Sequence, residues 1–327
     1  MTESLLEVHQ LVKSYPGGRG LGRARPRVYA VNGVSFDVAA GECVGIVGES
    51  GCGKSTLARA IMGLTPVDSG EVRLRGKPTA DRARGRPALQ MVFQDAFGSL
   101  NPLMTVAQTV AEPAVVHGLV SREDAFAYVV DLLAQVGLRE EFARRRPRDL
   151  SGGQRQRVAI ARALATDPDL IIADEPVSAL DVSIQAQVLS LLRDLAARRA
   201  LSVLFIGHQL PVVANIADRV LVMYLGEIVE AGPSAEVFRD PRHPYTRALL
   251  ASQPGRHRRG ASPMLTGELP SQFEALDGCA FRSRCPQVVA SCHEPVPEVM
   301  LGEKRSCRCV FAQGPARELQ PAPARTE

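Results

Sequence analysis

The sequence carries almost no excess of either charge. Lys and Arg number 39 against 35 Asp and Glu, for a net +4, whereas a dedicated nucleic-acid binder gathers a dominant basic patch. Nucleic acid is therefore not expected as a partner. Long apolar runs are also missing. The longest uncharged stretch, Ala200 to Ala217, contains His208, Gln209, Pro211 and Asn215, so it does not qualify as a membrane span, and any membrane role needs a partner chain. The first residues, Met1 to Glu7, show neither the basic region nor the unbroken apolar stretch of a signal peptide, and the protein is expected to stay in the cytosol. Cysteine is scarce through most of the chain, with only Cys43 and Cys52 in the first 278 residues. Without an export signal, this argues against a disulfide framework. No repeat of fixed period occurs, which sets aside solenoids and arrays.

What remains is the composition of a folded protein. At 327 residues, 45% hydrophobic and 23% charged, the chain can bury a full core as one large domain or two ordinary ones. From Leu5 to about Ala231, short β-branched runs alternate with longer helical patterns, the rhythm of an α/β protein with parallel strands. Cys43 to Val47, Leu170 to Ala173 and Leu201 to Ile206 are continuous apolar runs, as expected of strands covered on both faces. Between about Met104 and Leu164 strand signals disappear. There Ser121 and Asp124 resemble a capping box, and Phe126, Val129, Val130 and Leu133 keep helical spacing, so an inserted all-helical subdomain is expected over 104–164. Gly17 to Arg27 and Gly76 to Pro87 read as solvated hairpin tips or loops. The expected domains are 1–231, a smaller unit at 232–311 where Pro, Arg and Cys increase, and a disordered tail at 312–327.

Directly after the Cys43 to Val47 strand stands GESGCGKST, Gly48 to Thr56. The pattern G-x-x-x-x-G-K-[ST] in this strand-to-helix context binds a nucleotide triphosphate. Gly51 and Gly53 let the backbone wrap phosphates with its N–H groups, alongside Gly48, Ser50, Cys52 and Thr56, and a helix starting near Lys54 points its positive end at them. Lys54 is placed to reach the β and γ phosphates, and Ser55 supplies a hydroxyl oxygen for Mg²⁺. A second element, Asp169 to Pro176, is an apolar strand ending in two acids. Adjacent strand residues face opposite ways, so the acids are expected to do different jobs. Asp174 would hold Mg²⁺ through water, and Glu175 would polarise the water that attacks the γ-phosphate.

Between these elements lies LSGGQ, Leu150 to Gln154, and with it the chain resembles the ATPase subunits of ABC transporters. Physically, Ser151, Gly152, Gly153 and Gln154 form a second anion nest opening a helix that runs to Leu164. The resemblance implies that this nest binds the γ-phosphate of ATP held by the other subunit of a head-to-tail dimer. It also implies a P-loop NTPase sheet core of α/β class, with the inserted helical subdomain and a small Cys-rich C-terminal unit. Gln94 matches the glutamine that senses Mg²⁺ and water, Ser178 to Asp181 the segment crossing the dimer interface, and His208 the switch histidine at the γ-phosphate. Gln209 departs from the Asp more usual after that histidine. The family stacks adenine on an aromatic residue; Tyr15 fits that pattern, with Tyr29 as the alternative.

Within the family, Phe93 to Pro102, His243 to Thr246 and Gly267 to Ser271 follow the oligopeptide, dipeptide and nickel importer group, and the resemblance extends to about Phe311. It implies a second ATPase subunit (a paralogue or a second copy), two transmembrane permease subunits, an extracytoplasmic solute-binding protein, and a place on the cytoplasmic face of the membrane. A short permease helix would dock near Phe97 to Met104. Five cysteines fall within Cys279 to Cys309. The group's C-terminal pattern implies four ligands, Cys279, Cys285, Cys292 and Cys309, for a [4Fe-4S] cluster or for zinc, while buried thiols are the plain alternative. Two rival functions stay open: a soluble ABC mechanoenzyme of DNA repair or translation, and a redox module gated by the ATPase.

Overall fold

In the computed structural model, residues 4–17, 27–79, 88–252 and 277–313 are described. The expected Gly267 to Ser271 motif, most of both loop stretches and nearly all of the tail lie outside them. Two long strands, β1 (Ser4–Pro16) and β2 (Arg27–Ala39), precede β3 (Cys43–Val47), α1 (Lys54–Ile61), β4 (Ser69–Leu74), β5 (Lys77–Pro78) and β6 (Leu89–Val92). A run without strands follows: α2 (Ala96–Ser99), α3 (Val106–Val116), α4 (Ala125–Gln135) and α5 (Gly152–Leu164). Then come β7 (Leu170–Asp174), α6 (Val182–Arg199), β8 (Ser202–Gly207), α7 (Leu210–Ile216), β9 (Arg219–Tyr224), β10 (Glu227–Pro233), α8 (Ser234–Arg239), α9 (Pro244–Ala251), β11 (Val299–Gly302) and β12 (Arg305–Cys307).

The strands form a four-stranded sheet, β2-β1-β4-β5, and an eight-stranded sheet, β11-β12-β10-β9-β3-β8-β7-β6. The five from β9 to β6 are parallel, and β3, β7, β8 and β9 are buried along their whole length. Their side chains alternate between two cores. Val47, Ile171, Ala173, Val203, Phe205 and Val222 face the helical side, while Val44, Ile46, Leu170, Ile172, Leu204 and Leu221 face α1 and the four-stranded sheet. A parallel strand pressed on both faces has no room for polar residues, which is why these segments read as unbroken apolar runs.

All parallel strands end at one edge, so the loops after β3, β6, β7 and β8 gather there. On the helical side, α4 follows a local Ser121–Asp124 turn in which the Ser121 hydroxyl accepts the Asp124 N–H at 3.1 Å. Arg162 of α5 donates to the Ser99 carbonyl at 2.6 Å and ties α2 to it.

The residues after 231 pack closely on the cassette. β12 pairs with β10 and carries the main sheet outward, and Tyr245, Leu249, Leu250, Ala280 and Phe281 belong to the same core as β7 and β8. Strands as short as β11 and β12 carry no clear period, so this docking leaves no mark in the sequence pattern.

Candidate nucleotide-binding and catalytic site

The loop from Gly48 to Gly53 leaves β3 and opens α1 at Lys54. Gly53 precedes the helix with φ of 109°, and a Cβ there would lie 1.9 Å from the Ala30 carbonyl of β2. Only glycine fits. Ser50 and Gly51 are exposed at the loop tip, Ser55 and Thr56 are half-buried, and Lys54 is 5% exposed. Its Nζ donates to the Gly48 and Glu49 carbonyls, both at 2.9 Å. The ammonium is thus held within the loop, with its three N–H donors not all spent on these two carbonyls. Cys52 is fully buried with its thiol turned inward, and burial raises its pKa. Its side chain is accordingly packing beneath the loop and leaves only backbone for a ligand.

Two carboxylates stand opposite. Asp174 ends β7, is 3% exposed, and accepts the Ser55 hydroxyl at 3.1 Å. Burial pushes its carboxyl above the usual range, against the Ser55 hydrogen bond. These two oxygen donors fit a hard divalent cation that keeps several waters. Glu175 follows with φ of 45°, in the left-handed region that non-glycine residues rarely occupy. Its N–H is anchored to the Ile206 carbonyl of β8 at 2.9 Å. One carboxylate oxygen, Oε2, lies 3.1 Å from both Gln94 Nε2 and His208 Nδ1. The structure therefore brings Gln94, Glu175 and His208 together beside the Ser55–Asp174 pair, from the ends of β6, β7 and β8.

The LSGGQ segment forms a reciprocal cap at the start of α5. Gln154 N–H donates to the Ser151 hydroxyl at 3.3 Å, and Ser151 N–H to Gln154 Oε1 at 3.0 Å. Ser151 and Gly152 are exposed. A Cβ on Gly153 would lie 2.6 Å from Ile184, and one on Gly152 3.2 Å from Leu180, so the nest rests on the segment around Asp181. Asp181 itself is exposed and precedes α6 without capping it. Gln185 was not singled out by sequence; buried beneath this segment, its amide donates to the Val177 and Leu180 carbonyls at 3.0 and 2.9 Å. Tyr15 is 40% exposed on β1, with Lys13 Nζ 5.0 Å from its ring, while Tyr29 is half-buried on β2.

The cysteines differ from the expected metal site. Cys279, Cys285, Cys292 and Cys309 lie within electrostatic reach of one another. Among the described residues, however, no three or more His, Cys, Asp or Glu side chains come close enough to hold a metal ion. The iron-sulfur or zinc expectation therefore gains no support, and burial raises the pKa of Cys279 to about 11 and of Cys285 to about 12.

Residues 31–178 match the ABC transporter family, and residues 229–292 match the C-terminal region of oligopeptide/dipeptide transporters. The di/tripeptide transport ATP-binding protein DppF of Pseudomonas aeruginosa is 44% identical over 318 residues, covering 95% of this chain and 98% of its own. The oligopeptide transport ATP-binding protein AppF of Bacillus subtilis is 46% identical over 307 residues, covering 90% and 93%. The chain belongs to the ATP-binding subunits of ABC transporters, in the oligopeptide and dipeptide family. Among solved structures it resembles the ATP-binding cassette MJ0796, a dimer bound to ADP and Pi in a post-hydrolysis state, with TM-score 0.61 and 31% identity over 70% of this chain and 98% of that one. CbiO1 of Clostridium perfringens, part of the transporter complex cbiONQ, gives TM-score 0.62 at 27% identity, covering 72% and 91%. The chain is thus an ATPase whose hydrolysis is coupled to transport through ATP-driven dimerisation. No helix among the described residues is long and apolar enough to cross a membrane.

Proposed function

We propose that this subunit powers the import of short peptides from the cytoplasmic face of the membrane, working as one of two ATPase subunits beneath two permease subunits served by a solute-binding protein. The observation that carries the reading is the Glu175 carboxylate, held by Gln94 and His208 beside the Ser55–Asp174 pair. The peptide substrate rests on near full-length similarity to proteins named for di/tripeptide and oligopeptide transport. The mechanoenzyme alternative has no comparable relative among these.

In this reading the loop N–H groups and Lys54 bind the triphosphate, and Ser55 and Asp174 hold Mg²⁺, whose charge offsets that of the phosphates. Glu175 accepts the proton of the attacking water. Gln94 and His208 fix its carboxylate in place, and His208 Nδ1 is the donor in that contact. Ser151 and the Gly152–Gly153 backbone complete the site of the opposite subunit. A permease helix docks beside α2, where Leu103 is 77% exposed; through Arg162 and Ser99 its movement reaches α5 and the nest.

Two measurements test this. The purified chain should hydrolyse ATP, and deletion of its gene should abolish uptake of labelled di- and tripeptides in the host. Unchanged peptide uptake in the deletion strain would refute the substrate assignment while leaving the ATPase intact.

A further inference from the structure

We infer that the C-terminal unit sets the geometry of the phosphate loop, with Arg284 as a positioning residue that acts through Glu49. This rests on the ATP-site reading above. Glu49 is the second residue of the loop, and a carboxylate beside a bound triphosphate is repelled unless its charge is compensated. The compensation comes from 235 residues away: Arg284 Nη1 lies 2.7 Å from Glu49 Oε2, and Nη2 3.2 Å from Oε1. The pair is bidentate, which fixes orientation as well as charge. The Arg284 side chain is only 6% exposed, and its Nη1 also lies 3.5 Å from the Tyr224 hydroxyl.

Every polar group of Glu49 is engaged. Its N–H donates to the Tyr245 hydroxyl at 2.8 Å, its carbonyl accepts Lys54 Nζ, and its carboxylate meets Arg284. Apart from Lys54, the side-chain anchors of Glu49 both come from beyond residue 231. Those anchors share one aromatic cluster, with ring centroids of Tyr224 and Tyr245 4.6 Å apart and of Tyr245 and Phe281 5.5 Å apart. Arg284 ends a short helical turn next to Cys285. Any change in the packing of the cysteine-bearing segment is thereby carried to the loop that grips ATP.

The test uses the full chain, with binding of a fluorescent ATP analogue and steady-state ATP turnover. Arg284→Gln leaves Glu49 charged and unpaired, and should raise Kd and KM for ATP by about tenfold, in line with the loss of one charged hydrogen-bonded contact, with kcat little changed. Arg284→Lys should recover part of the loss. The double variant Glu49→Gln, Arg284→Gln should bind ATP more tightly than Arg284→Gln alone, since removing both charges is milder than stranding one. A purely structural role for Arg284 predicts no such rescue by a change in the loop. If Arg284→Gln fails to fold, as read by circular dichroism, Tyr245→Phe removes only the other anchor's hydroxyl and should likewise raise KM. Unchanged ATP affinity in the Arg284 or Tyr245 variant, or a double variant worse than Arg284→Gln, overturns the inference. Absence of ATP binding by the wild type would instead overturn the ATP-site reading beneath it.

Discussion

At Glu175 the chain leaves a buried strand in a left-handed backbone conformation, costing of the order of 1–3 kcal/mol that the Ile206 anchor and the surrounding packing hold in place. Such strain aims a carboxylate at one point. Glu175→Gln should keep ATP binding, because the loop and Lys54 are untouched, and should lower kcat by roughly 10²–10⁴-fold, the usual worth of a general base; rapid-quench measurement of ATP cleavage checks this. Near wild-type turnover would remove Glu175 from the role. A second expectation concerns the thiols. With pKa near 11 for Cys279 and 12 for Cys285 against an ordinary value of 9.0, their thiolate fractions near pH 8 are about a hundredfold or more below that of an exposed thiol. Iodoacetamide mapped by mass spectrometry should label them correspondingly slowly, and rapid labelling would mean an open segment. The candidate-site segments Gly48 to Thr56, Leu150 to Gln154 and Asp174 to Glu175 were legible because each is contiguous and sits at a strand or helix end. The contacts of Glu49 and Gln185 were not, since a partner 235 residues away or a carbonyl beneath a surface loop leaves no local pattern.

Among the elements, α9 has a pH-sensitive start. His243 is 1% exposed and its Nδ1 accepts the Tyr245 N–H at 3.1 Å, capping the helix. Burial pulls its pKa from 6.5 down to about 3. A folded-state pKa below the unfolded one means that the unfolded chain binds the extra proton between those values. The stabilisation is therefore complete above pH 6.5 and drains away as pH falls toward 3, at up to about 1.4 kcal/mol per unit. Glu230, which accepts the His243 and Arg242 N–H groups, has a raised pKa through burial and opposes this in the acid range. A comparison of variants separates the two. His243→Asn keeps a capping acceptor but cannot titrate, so its thermal midpoint should fall less steeply than the wild type's between pH 6.5 and 5. Parallel curves would exclude His243 as the source. The four residues His243 to Thr246 were recognisable as a motif, yet their work became visible only when Tyr245 was seen beneath the phosphate loop. The strands β3, β7 and β8 were legible because burial on both faces writes itself as an apolar run, whereas β11 is short and half-exposed and β12 is only three residues long.

For the whole molecule, the decisive feature is what one chain leaves open. The nest at Ser151 and Gly152 is exposed, and the packing of Gly152 and Gly153 against Leu180 and Ile184 joins it to the segment carrying exposed Asp181 and Val182, the latter 82% exposed. Ser151 spends its hydroxyl on capping α5 and makes no contact with the chain's own phosphate loop among the hydrogen bonds of the described residues. A nest that serves the nucleotide of a second subunit is dispensable for binding within the first. Ser151→Arg should therefore leave the ATP affinity of the isolated subunit within about twofold, while the bulk and charge of arginine prevent closure and reduce turnover to background. The combination with Glu175→Gln makes this visible without activity. Glu175→Gln alone should accumulate as an ATP-bound dimer by size-exclusion chromatography with light scattering, and the double variant should elute as monomer at the same ATP concentration. Loss of monomer ATP affinity in Ser151→Arg would place the nest in the local site, and a dimer persisting in the double variant would place closure elsewhere on the surface.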